Sequence, residues 1–219
     1  VTAVELSAVV FDLDGTLVDS REDLATALNA VRRELGYEPL PVARVVAMVG
    51  EGARELVRRA LPSEVAGEGF EAAFRSFLER YYDVCLHRTR PYDGVEALLA
   101  AAAARLPLAL LTNKPERHTR KVLRGLGLDR FIGEAVGGDS LATRKPDPEP
   151  LLELARRLGA EPGRTLFVGD SATDGETARR AGAPLVLVPW GFGRADDLAG
   201  FDCVLRPETP AQLAAWLDR

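Results

Sequence analysis

Phe11-Asp12-Leu13-Asp14-Gly15-Thr16-Leu17-Val18-Asp19-Ser20 closes the apolar run Leu6–Asp12 and carries the strongest signal of architecture in the chain. An apolar, β-branched run that delivers two carboxylates, one residue apart, into a glycine turn reads as a strand with a site at its end. Open α/β sheets bind ligands at the carboxyl ends of their strands. Two carboxylates held this close repel, so they need a cation or a shared proton to coexist. Working outward, four further runs end in polar residues or glycine: Leu106–Thr112, Glu134–Gly138, Thr165–Gly169 and Pro184–Val188. From the second run onward, amphipathic helical patterns fill the intervals, as parallel strands with crossover helices require. Leu151, Leu152, Ala155 and Leu158 make one such stripe, closed by Gly159. The expected class is α/β, with a doubly wound, Rossmann-like parallel sheet.

About 90 residues separate the first two runs, where a crossover needs roughly a dozen. The excess reads as an inserted helical bundle. Ser20 with Asp23 has the form of a capping box opening a helix with the stripe Leu24, Ala27, Leu28, Val31 and Leu35, ended by Gly36. A short helix follows Pro41. Another carries Leu56, Val57, Ala60 and Leu61, and a longer one carries Phe70, Ala73, Phe74, Phe77, Leu78, Tyr81 and Cys85. The expected organisation is a core domain of residues 1–19 and 91–219 and a helical cap domain of residues 20–90. Pro91-Tyr92-Asp93-Gly94 reads as the turn that returns the chain to the core.

Composition narrows the function. The chain has 219 residues, 47% of them hydrophobic, which is enough for a buried core. Its 28 basic and 33 acidic residues give a net charge of −5, so no basic surface awaits a nucleic-acid backbone. No apolar stretch approaches the roughly 20 residues of a membrane span, and Val1–Ser7 lacks the basic start and apolar stretch of a signal peptide. Two cysteines, Cys85 and Cys203, form neither a disulfide framework nor a zinc set and are expected in the core. A cytoplasmic protein, monomeric or homodimeric, is expected. His118, early in the helix after Pro115, is expected at the surface.

Three more strand ends carry polar residues. Thr112-Asn113-Lys114 follows the second run and places a hydroxyl and an amide where the strand stops; this is either an ordinary helix N-cap or part of a site, recommended only by its position after a strand. Lys145, between Arg144 and Pro146, is either a solvated turn residue or a wanted point charge; the chain has three lysines against 25 arginines, which favours the second. Gly169-Asp170-Ser171-Ala172-Thr173-Asp174 ends the fourth run. Its two acids, four apart, can both face one cation, or Asp174 can simply cap a helix.

Taken in order, Asp12-x-Asp14-Gly15-Thr16, Thr112, Lys145 and Gly169-Asp170-x-x-x-Asp174 resemble the four-part signature of the haloacid dehalogenase superfamily of phosphotransferases, and the insertion resembles that superfamily's cap. More narrowly, Val49–Leu61, Arg90–Val95, Leu111–Pro115, Gly137–Ser140 and Trp190–Gly193 are similar to stretches of phosphoglycolate phosphatases. The resemblance implies a Mg²⁺-dependent phosphatase of a small phosphate monoester, 2-phosphoglycolate foremost. Asp12 would be the nucleophile and Asp14 the general acid and base. Asp12, Asp170, Asp174 and the main-chain carbonyl of Asp14 would serve the metal, and Thr112, Lys145, Gly15, Thr16 and Asn113 the phosphoryl group. With Asp14 protonated, Asp12, Asp170 and Asp174 (−3), a phosphate dianion (−2) and Lys145 (+1) sum to −4, which a divalent cation relieves to −2.

Arg54 and Arg58, with Arg59 beside them, follow the Gly50-Glu51-Gly52 segment. They are either a solvated arginine face or the cap's reader of a substrate carboxylate. A β-phosphoglucomutase-like sugar phosphomutase and a non-catalytic phosphate-binding module stay open as alternatives. A phosphonate-cleaving relative needs a cap lysine, and none lies between Ser20 and Arg90.

Overall fold

Parallel strands covered on both faces must be apolar throughout, and the first apolar run meets that demand at the centre of the sheet. In the computed structural model, which describes residues 5–218, β1 (Ala8–Phe11) is wholly buried. Two short strands, β2 (Val18–Asp19) and β3 (Arg90–Pro91), flank the long insertion. The other sheet strands are β4 (Leu108–Leu111), β5 (Glu134–Val136), β6 (Thr165–Gly169) and β7 (Leu185–Leu187). Five strands lie in the order β5-β4-β1-β6-β7, all parallel. Chain order therefore reverses beside β1, and ligand crevices of doubly wound sheets form at such a point.

Register brings the polar strand ends to one level. Phe11 pairs with Leu110 of β4 and with Val168 of β6. One residue further, the Asp12 N–H donates to the Val168 carbonyl (2.8 Å) and the Thr112 N–H to the Val136 carbonyl (3.0 Å). Helices α5 (Val95–Ala103), α6 (Glu116–Gly125), α7 (Glu149–Arg157) and α8 (Ala172–Ala181) make the crossovers. The short α9 (Ala195–Leu198) follows β7, and α10 (Pro210–Leu217) packs on α5. Val10, Ala109, Leu111 and Phe167 of the sheet meet Leu151 and Leu154 of α7 and Ala178 of α8 in one core cluster, with Cys203 partly buried against it. His118 is buried rather than exposed. It shares an α6 face with Val122, four residues on, so its ring body is carried inward with the apolar stripe.

The chain forms two compact units, one of residues up to Asp19 together with those from Pro91 onward, the other Ser20–Arg90. Val1–Val4 lie outside the described residues, and with them most of the stretch read for a leader. The second unit holds α1 (Arg21–Glu34), α2 (Val42–Val46), α3 (Ala53–Ala60) and α4 (Gly67–Val84), with α4 packed on α1 and α3. Leu24, Leu28, Val31, Val57, Phe77, Tyr81 and Cys85 are buried there. Phe77 and Tyr81, one turn apart on α4, stack with ring centroids 5.7 Å apart. Among the described residues no helix is long and apolar enough to cross a membrane.

The capping box at Ser20 does not form: Ser20 is the N-cap residue of α1, but its side chain makes no cap hydrogen bond. Asp23 is drawn elsewhere. Its carboxylate accepts the N–H of Arg88 (3.0 Å), the N–H of Thr89 (2.8 Å) and the Thr89 hydroxyl (2.7 Å). Three donors in a buried place outweigh the single N–H a cap would satisfy. Asp23→Ala strands those donors, so it is expected to cost about 2–4 kcal/mol in urea unfolding. A loss below about 1 kcal/mol would show that the contact does not hold this unit together.

Candidate active site

Five segments following strands bring the chemistry together. Lys145, in the loop after β5, extends its ammonium to Asp12 Oδ1 (2.6 Å) and to Asp174 Oδ1 (2.6 Å). It also stands 5.5 Å from the centroid of the Phe167 ring. Asp12, Asp170 and Asp174 are all buried, and one carboxylate oxygen from each lies within 4.8 Å of the others. Three negative charges against the one on Lys145 leave −2. Donors that are all carboxylate oxygens suit a hard divalent cation, which brings that sum to zero. The residues present therefore fit a metal ion.

Burial is the main force on the acids. It raises the Asp12 carboxyl to about 7, with Lys145 pulling the other way and the charges of Asp174 and Asp14 adding to the rise. Burial also holds Asp170 well above the ordinary range, reinforced by Asp174 and Asp12 and opposed by the Phe192 N–H and Lys145. For Lys145 burial works against the charge, but Asp12 and Asp174 overcome it and the ammonium is held more firmly than usual. Asp12 and Asp170 are each costly to ionise here, and the cluster calls for added positive charge.

Local structure fixes each acid. Asp174 both completes the cap of α8 and joins the acidic cluster. Its Oδ2 accepts the Ser171 hydroxyl (2.6 Å) and N–H (3.0 Å) while the Ser171 hydroxyl accepts the Asp174 N–H, a capping box that opens α8 and leaves Oδ1 for Lys145. Asp170 Oδ1 accepts the Thr16 hydroxyl (3.2 Å), and Oδ2 accepts the N–H groups of Phe192 (2.6 Å) and Gly193 (3.3 Å). Gly15 has φ +89°, and a Cβ there would lie 2.2 Å from Asp170 Oδ2; one at Gly191 would lie 2.4 Å from the same atom. Backbone closes on Asp170 from both sides only because these two residues lack side chains.

Other expected residues have partners of their own. The Asn113 side-chain amide donates to the Lys145 carbonyl (2.9 Å) and so steadies the lysine's loop. Thr112 Oγ1 accepts the Lys114 N–H (3.2 Å). Asp14 is absent from the acidic cluster: its two oxygens each lie 2.7 Å from Lys114 Nζ. Arg54 and Arg58 belong to the other unit. Arg54 makes a bidentate pair with Glu71 (2.8 and 3.0 Å) and lies over the Phe74 ring, while Arg58 and Arg59 both bond Glu55.

Two contributions escaped the sequence reading. Lys114 was open to the argument applied to Lys145, since both are among three lysines in an arginine-rich chain. The Trp190–Gly193 loop, known only as a family-like stretch, supplies two N–H donors to Asp170, and the Trp190 ring N–H is anchored on the Thr16 carbonyl (3.1 Å). Its signal was two glycines around an aromatic residue just past a strand end.

The family model described as haloacid dehalogenase-like hydrolase matches residues 6–182. A phosphoglycolate phosphatase of Rhodospirillum rubrum is 44% identical over 218 residues, covering 96% of this chain and 90% of that protein. An N-acetylmuramic acid 6-phosphate phosphatase of Pseudomonas aeruginosa is 36% identical over 220 residues, covering 99% and 96%. Among solved structures, one from Haemophilus somnus 129pt described as a predicted phosphoglycolate phosphatase superposes with a TM-score of 0.83 at 32% identity, covering 87% of this chain and 88% of that one.

The raised Asp12 carboxyl fixes the sign of a pH effect. Between the ordinary 3.8 and about 7 the folded protein keeps a proton that the unfolded chain has released, so stability falls as pH rises through that window. The span corresponds to on the order of 4 kcal/mol, with Asp170 acting in the same sense. Partly buried Glu153 and Glu176, drawn to about 2 by their arginine partners, act mainly below their ordinary 4.5 and do not mask the change from pH 5 to pH 8. In excess chelator the melting temperature is expected to fall from pH 5 to pH 8. Added Mg²⁺ should raise it more at pH 8 than at pH 5, and Asp12→Asn should flatten the profile. A chelated protein equally stable at both pH values would contradict this electrostatic account.

Proposed function

The chain belongs to the haloacid dehalogenase-like hydrolases and is a phosphoric monoester hydrolase, and we propose that it cleaves 2-phosphoglycolate to glycolate and phosphate with Mg²⁺ as its bound ion. The observation that carries this reading is the buried Asp12–Lys145–Asp174 bridge with Asp170 beside it, at the strand ends where a phosphoryl group would be received. The name of the Rhodospirillum rubrum relative supports the choice of ester.

Asp12, Asp170 and the main-chain carbonyl of Asp14 would hold the ion, with Asp174 contributing through Lys145 and the α8 cap. When bound, Mg²⁺ supplies charge neutralisation among the acids and the phosphate oxygens. In the first half-reaction a carboxylate oxygen of Asp12 attacks phosphorus in line. The bond from phosphorus to the ester oxygen breaks, and Asp14 delivers a proton to the departing alkoxide. Aspartyl-phosphate and glycolate result. In the second, Asp14 takes a proton from water, whose oxygen attacks phosphorus and breaks the bond to Asp12. Phosphate leaves and Asp14 has its proton back.

Lys145 favours the ionised form of Asp12 and orients it for its attack. The Thr112 hydroxyl and the N–H groups around Gly15, Thr16 and Asn113 would grip the transferring oxygens. We further take residues 20–90 as a cap that excludes water from the bound ester, and Arg54 and Arg58 as its cations facing an anionic substrate. Action in a reducing compartment such as the cytoplasm accords with two free cysteines; a monomer or homodimer is the proposed state.

A phosphate-release panel of phosphoglycolate, N-acetylmuramic acid 6-phosphate, hexose phosphates and nucleotides tests the substrate. Phosphoglycolate is expected to exceed each of the others by at least about 10-fold in kcat/KM. Turnover should stop in excess chelator and return with Mg²⁺. Full turnover in chelator would overturn the mechanism, and a better sugar phosphate would overturn the substrate.

A further inference from the structure

Lys114 has no role in the reaction as written above, yet it is one of the most enclosed cations in the molecule. Its side chain is 2% exposed, and its ammonium stands 2.7 Å from each oxygen of Asp14. Surface positive charge in this chain is carried by arginine; of the three lysines, Lys114 and Lys145 are buried and both meet aspartates at the sheet edge. Burying an ammonium costs several kcal/mol, and the flexible lysine stem suits a contact that must shift during turnover.

We propose that Lys114 is a specificity-determining residue that binds the carboxylate of the leaving group. The inference rests on the phosphoglycolate reading. Asp14, as general acid, must sit one hydrogen bond, about 2.7 Å, from the ester oxygen. In phosphoglycolate the carboxylate oxygens are three bonds from that ester oxygen, about 3 Å away. Lys114 Nζ, itself one hydrogen bond from Asp14, meets them when the leaving group turns its carboxylate to the Lys114 side of Asp14. On binding, Lys114 exchanges one Asp14 oxygen for a substrate carboxylate oxygen, a charge-assisted bond in a setting with little water. An ester without that carboxylate offers nothing to exchange. The cap arginines can add only a diffuse attraction to an anionic ester: Arg54 and Arg58 have side chains 48% and 63% exposed and already bind glutamates, so their charges are screened and a direct contact to the carboxylate falls to Lys114.

The test compares 2-phosphoglycolate with its neutral amide, 2-phosphoglycolamide, in the wild-type protein and in Lys114→Met and Lys114→Arg, with kcat and KM resolved. The wild-type protein should prefer the acid. In K114M the acid-to-amide ratio of kcat/KM should fall at least about 10-fold, mainly through KM of the acid, beside any kcat loss common to both esters. K114R, which keeps the charge and secures the result if K114M does not fold, should give an intermediate ratio. Equal losses on both esters, in K114M or in K114R, would show that Lys114 only positions Asp14 and would overturn the inference. A wild-type protein indifferent to the carboxylate would instead overturn the phosphoglycolate reading, and this inference with it.

Discussion

Three carboxylates crowded at one sheet edge, with a single lysine between two of them, form the constraint around which the rest of the site is arranged. Lys145 offsets one charge, and burial makes the remaining charges costly. Neighbouring structure then serves to hold groups that would otherwise part. The α8 capping box fixes Asp174, the Thr16 hydroxyl and the Trp190–Gly193 loop fix Asp170, and the Asn113 amide fixes the backbone of Lys145. A site of this kind is poised for a divalent cation and a phosphoryl group because both supply what the acids lack: positive charge, and an electrophile for the ionised oxygen.

Asp14 stands outside that cluster although only Leu13 separates it from Asp12. Its pairing with Lys114 divides the edge into two electrostatic compartments, to which the proposed mechanism assigns the nucleophile with the cation ligands and the proton transfer with the leaving group. Identical side chains can take different parts when their surroundings differ. The charge sum drawn from the sequence omitted Lys114 and so overstated the negative charge by one.

Much of the fold could be read because its signals are periodic and continuous. All five sheet strands fall within the apolar runs, since strands buried on both faces leave uninterrupted hydrophobic segments. Asp12, Lys145, Asp170 and Asp174 were readable for a related reason: each follows a strand, and parallel register carries strand ends to a common edge. What escaped was pairing across long separations. Ser20 and Asp23 had the spacing of a cap, but spacing says nothing of Arg88 and Thr89, whose donors reach Asp23 from 65 and 66 residues away. His118 looked exposed by its neighbours in sequence and is buried by its helical face. Lys114 with Asp14, 100 residues apart, is of the same kind.

In the proposed reaction Asp12 itself receives the phosphoryl group. Rapid quenching during turnover of 2-phosphoglycolate, followed by borohydride reduction and peptide mass mapping, reads it directly. An acyl phosphate at Asp12 is reduced to homoserine, so the account predicts that conversion at residue 12, dependent on Mg²⁺ and absent without substrate. Conversion at another acid, or steady phosphate release with residue 12 unmodified at every quench time, would contradict it.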